Sequence, residues 1–222
     1  MFIHDSPMNS RRKDPFRLFA AIHRMLRPAG SVEPAQLESF LRRQGAFVAQ
    51  KTVIDYCRVK TGRNEGLYFK DGDFQAALRH CRWRVYLGAM GDVTALAEAW
   101  LRPHVADRTA RLAERLADRH AAILSSEAAP SEEAEAVKAA IAELPAHLSR
   151  LQMAAPYPAH KLPLMAEGPL LATLPIHPDQ RRGEQPAITG ALRFHIVSTQ
   201  QEMERKFNPE RLAENLLEGG RL

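Results

Sequence analysis

One stretch restricts the fold of this chain more than any other. From Phe74 to Trp100 the apolar side chains Phe74, Leu78, Cys81, Val85, Ala89, Val93, Leu96 and Trp100 recur every three or four residues. No proline falls among them, and Pro103 stands just beyond the last. That spacing puts all of them on one side of an α-helix; a strand, whose side chains alternate between two faces, would scatter them. The helix is expected to start at an Asp71 or Asp73 cap and to reach about Arg102, where Pro103 stops it. A stripe this long needs other helices to cover it.

The sequence supplies them. Asp14 as cap and Pro15 in the first turn open a helix to about Leu26, with a broad face of Phe16, Leu18, Phe19, Ile22, Met25 and Leu26. Arg17, Arg24 and Arg27 occupy its narrow polar side. A second helix is expected from Ser31, with Pro34 in its first turn, to about Lys60 before Thr61-Gly62. Leu37, Phe40, Leu41, Phe47, Val48, Ile54 and Cys57 carry its helical period, and Gly45 marks a kink or a close helix contact. A further helix spans about 104–124, lined by Val105, Leu112, Leu116, Ile123 and Leu124. Ser131 caps the next, with Glu132 and Glu133 favourable at its positive end. That helix is expected to reach about Met153 and to kink or split at Leu144, ahead of Pro145.

Residues 156–186 differ from the rest, since they hold seven of the fifteen prolines. They also contain the apolar run LPLMAEGPLLATLPI, too hydrophobic for a plain spacer. The segment reads as an extended arm lying on the helices, with strand-like pieces near Leu170–Leu174. Residues 187–206 fit both periods: Leu192, Phe194 and Ile196 alternate, whereas Ile188, Leu192, Ile196 and Met203 follow a helix. The polar run after them favours the helix. Asn208-Pro209 begins a last helix over 209–218, ended by Gly219-Gly220.

The expected architecture is therefore all-α. It has a flexible N-terminus over 1–13 and a bundle of about five main helices over 14–155. A Pro-rich arm over 156–186 packs on that bundle, and a C-terminal helical segment covers 187–222.

Composition narrows the class. The chain is 45% apolar and 26% charged, which excludes a disordered, a collagen-like and a polytopic membrane protein. No run of about 18 apolar residues is present, and the N-terminal residues lack the apolar core of a secretory signal. Cys57 and Cys81 form no disulfide framework and read as buried thiols in a reducing compartment. A cytoplasmic protein is expected, and the Ala, Arg and Leu bias suggests a GC-rich bacterial genome. The net charge is +5, with bases gathered at 11–27 and 58–84.

The motifs of known chemistry are missing. There is no Gly-rich phosphate loop, no paired-histidine metal helix, no nucleophile elbow and no CxxC pair. No catalytic, cofactor-binding or metal-binding residue is assigned, no cofactor is expected, and the balance leans away from an enzyme. His80 and Cys81 diverge by about 100° on a helix, and His120 lies off the face shared by Glu114 and Asp118. His177 beside Asp179, or His195 with Ser198 and Thr199, would become catalytic only by converging in a pocket.

Two surfaces stand out. Arg79, Arg82, Trp83 and Tyr86 share a helix face, suited to a protein partner or to a polyanion. Phe16, Arg17, Phe19 and Arg24 suit a membrane surface or a partner helix. The leading expectation is a non-enzymatic protein-interaction module: an adaptor, assembly factor or regulator. The alternatives are polyanion or nucleic-acid binding through 79–84 and 11–27, membrane attachment through 14–26, and an enzyme of unknown class. A homo-oligomer is compatible with all four.

Overall fold

Local chemistry sets the helix boundaries. Asp71 accepts the Phe74 backbone N–H at 2.8 Å and so caps the longest helix. Asn208 accepts that of Arg211 at 3.1 Å and caps the last. A computed structural model describes residues 30–219, and all its regular structure is helical apart from one isolated bridge. The helices are α1 (Pro34–Thr61), α2 (Gly72–Leu101), α3 (Thr109–Ser125), α4 (Ala134–Gln152), α5 (Glu167–Thr173), α6 (Gln185–Lys206) and α7 (Pro209–Glu218). Short 3-10 turns and the single helical turn Glu65–Tyr68 join them. The fold is an all-α bundle. The helix expected over 14–26 lies outside the described residues.

α2 is the axis of this bundle. It touches each of the other six helices, and its interface with α1 is the most extensive in the molecule. Every residue from Val85 to Ala99 is buried. This departs from the one-sided stripe expected from sequence: only the first half of α2 has a wet face. Small side chains make the enclosure feasible. A Cβ added at Gly88 would lie 2.5 Å from the Ala166 Cα, so the chain before α5 passes directly over that glycine.

One open alternative is decided, and three further expectations are overturned. Gly45 lies within the continuous α1, and a Cβ there would meet the Met90 Sδ at 2.5 Å, so the glycine is a contact point between α1 and α2. α4 runs unbroken through Pro145 because tertiary packing of Leu144, Leu148 and Leu151 outweighs one lost backbone bond. Residues 131–133 form a 3-10 turn ahead of α4, and Ser131 donates to Glu132 instead of capping. Leu170–Leu174 is helical over most of its length, since α5 ends at Thr173, with Leu170 buried on its inner side.

The 156–186 segment shares the core through Leu162, Ala166, Leu170, Leu174 and Ile176. The ambiguous 187–206 stretch resolves as α6, with Ile188, Leu192, Ile196, Thr199 and Met203 turned inward. The helical period wins there because the inner face meets α1 and α2, while Phe194 stays out in solvent. At the other end, Ser31 pairs with Phe207 as a parallel bridge, and Asn215 donates to the Val32 carbonyl at 2.8 Å.

Candidate functional site

The outward face of α2's first half floors a trough of about 550 Å³. Helical geometry brings Arg79, Arg82, Trp83 and Tyr86 onto this floor, because positions i, i+3, i+4 and i+7 share a face. Arg42, Ala46, Ala49 and Gln50 of α1 form one wall. The connection between α3 and α4, with Glu127, Pro130, Glu132 and Glu133, forms the other.

Arg42 reaches across to the connection, donating to the Ser126 hydroxyl and pairing with Glu127 at 3.2 Å. The Tyr86 hydroxyl donates to the same Glu127 carboxylate at 2.9 Å. Burial and that carboxylate together hold the Tyr86 phenol protonated, well above the ordinary tyrosine range. The Trp83 and Tyr86 rings lie 5.6 Å apart in a tilted arrangement. The Trp83 indole nitrogen is buried without an acceptor among the described residues.

A second cluster sits on the connection side. Glu133 is almost fully buried, and its carboxylate meets His80 Nδ1 at 2.5 Å and Arg84 at 4.0 Å. A carboxylate taken out of water needs such partners. Glu127 and Glu133 are thus each committed to groups of the protein. Arg79 and Arg82 are exposed and make no ion pair among the described residues. Two other hollows carry less chemistry. One of about 350 Å³ lies among Leu96, Trp100, Pro156 and Tyr157; the other, shallower, of about 730 Å³, lies among Leu67, Tyr68, Phe74 and Pro175.

The trough contains residues that no local signal in the sequence marks. Arg42, Glu127 and Glu133 arrive from elements 41 to 85 positions away from the side chains they meet. His80 drew notice only beside Cys81, whose thiol is buried in the core, where burial pushes it up to about 11. Cys57 is likewise a free, buried thiol, pushed up to about 12.

The other expected constellations do not assemble. His120 is buried with neither ring nitrogen partnered, while Glu114 and Asp118 are exposed. No group of three metal-ligating side chains forms among the described residues. His177 meets Asp179 at 3.5 Å on an open surface, and His195 packs edge-on against Phe47. Thr199 donates to the His195 carbonyl at 2.9 Å within α6, as a helix-satisfied hydroxyl does. Phe16, Arg17, Phe19 and Arg24 lie outside the described residues. No helix among the described residues is long and apolar enough to cross a membrane.

The chain matches no protein-family model, no curated protein and no solved structure. The chemistry of the trough therefore rests on its own geometry.

Proposed function

We propose that this chain is a non-enzymatic helical interaction module of a bacterial cytoplasm, and that the trough on α2 receives a partner protein. The observation that carries this reading is the chemistry of the concavity: Trp83, Tyr86 and three arginines around an alanine-lined floor. Tryptophan, tyrosine and arginine are the side chains that dominate protein-binding hot spots. A polyanion surface would instead present a stripe of one sign. Here Glu127, Glu132 and Glu133 face Arg42, Arg79 and Arg82 across the same hollow. An enzyme reading has less support, because the His80–Glu133 pair has no Ser, Thr or Cys beside it among the trough's lining residues. The two free, buried thiols accord with a reducing compartment.

The test is capture from the native host by tagged full-length chain, wild type against Trp83→Ala, with low-salt and then high-salt washes. A stoichiometric protein held by the wild type through high salt and absent from the variant supports the reading. Nucleic acid shed by salt, with no difference between the two chains, overturns it.

A further inference from the structure

The trough's charges divide into those already answered and those left over. Glu127 is taken by Arg42 and Tyr86, and Glu133 by His80 and Arg84. What remains in the lining is Arg79 and Arg82, against the single exposed carboxylate of Glu132. The uncommitted charge is therefore positive. It flanks the half-buried Trp83 ring, beside the Ala46 and Ala49 surface of α1.

We propose that the trough binds an acidic, apolar-bearing peptide segment of the partner, with carboxylates on Arg79 and Arg82 and an aliphatic or aromatic side chain on Trp83. This rests on the docking function proposed above and names its ligand chemistry. A guanidinium takes a carboxylate through two parallel N–H donors, which a lysine cannot copy. The apolar side chain gains by leaving water against the indole face, so acid alone is insufficient. Arg42, held by Ser126 and Glu127, is already engaged and leaves Arg79 and Arg82 to meet the acidic groups.

Calorimetry on the full chain tests the proposal with defined probes: a blocked peptide of alternating glutamate and leucine, its lysine–leucine and glutamate–serine counterparts, and an oligothymidine. The glutamate–leucine peptide is expected to bind best and to change Trp83 emission, a change absent in Trp83→Phe. Arg79→Gln with Arg82→Gln is expected to weaken it about ten-fold. Circular dichroism should be unaltered, since both side chains are exposed. Equal binding of the lysine–leucine peptide, tighter binding of oligothymidine, or indifference to the arginine variants overturns the proposal. The two levels separate cleanly. If the arginine variants still capture the host partner while Trp83→Ala does not, docking stands and the acidic ligand falls. If Trp83→Ala also captures it, docking itself falls.

Discussion

The two halves of α2 are built from one continuous helix and obey different rules. From Gly72 to Arg84 it is amphipathic, with Phe74, Leu78 and Cys81 inward and Arg79, Arg82 and Trp83 outward. From Val85 to Ala99 every residue is buried; Tyr86 alone borders the trough, and Asp92, Thr94 and Glu98 must be satisfied within protein. Thr94 turns back to the Met90 carbonyl at 2.7 Å. Asp92 accepts the backbone N–H groups of Met165 at 2.6 Å and Ala166 at 3.2 Å, tying the chain just before α5 to the axis. Glu98 takes a forked pair of bonds from Arg102 at 2.9 and 2.7 Å, and one from Gln152 at 2.8 Å. Arg102 also donates to the Ala154 carbonyl at 2.8 Å. A polar group in the inner half is a structural clamp, whereas Arg79 and Arg82 in the outer half stay exposed.

Substitutions can break or sharpen that contrast. The largest effect belongs to Arg102→Ala, which strands the buried Glu98 carboxylate; a loss of about 3–5 kcal/mol is expected in urea unfolding. Gly88→Val comes next, because the added atoms collide with backbone at Ala166 that has no freedom to rotate away; about 1–3 kcal/mol is expected, with a lower thermal midpoint. His120→Leu works in the opposite direction. It removes two buried, unpartnered ring nitrogens and is expected to raise stability by about 1 kcal/mol.

Two inner groups also oppose each other in pH. Burial pushes the Asp92 carboxyl up to about 7, so the fold favours its protonated form, and stability declines as pH rises from about 4 to 7. Burial pulls the His120 imidazole down to about 4, so the fold favours its neutral form, and stability declines as pH falls from about 6.5 to 4. The two slopes have opposite signs. His120→Leu should expose the Asp92 slope, and Asp92→Asn the His120 slope, in denaturation midpoints followed across pH 4–7. The smallest stability effect is in the outer half: Arg79→Gln and Arg82→Gln should stay within about 0.5 kcal/mol of wild type while altering binding. A large loss of stability there would erase the distinction between the halves.

The outer half was legible in the sequence, and the inner half was not. The Asp71 and Asn208 caps, the 3.6-residue stripes and the shared face of Arg79, Arg82, Trp83 and Tyr86 are all encoded within one or two turns. Enclosure of Val85–Ala99 depends on what six other helices do, and no window along α2 contains that. Gly45 illustrates the limit: its sequence signal fits a kink or a contact equally, and only the position of Met90 decides. Pro145 misleads for the same reason, since packing outweighs propensity there. In the trough, the α2 floor was readable, but the walls come from α1 and from the 126–133 connection, far away in sequence.

The bridge between Ser31 and Phe207 bears on the order of events during synthesis. The Ser31 N–H donates to the Lys206 carbonyl at 2.8 Å, the Asn208 N–H donates to the Ser31 carbonyl at 3.1 Å, and Asn215 reaches Val32 across 183 positions. At translation speeds of about 5–20 residues per second, Val32 leaves the ribosome roughly 10–35 s ahead of Asn215. Through that interval the start of α1 lacks the partners that fix it, and α2 waits for α5, α6 and α7 to cover the sides that α1, α3 and α4 leave open. The later helices α6 and α7 thus lock the start of α1, and a nascent chain stalled before α6 would present the apolar flank of α2 to whatever chaperone stands nearest.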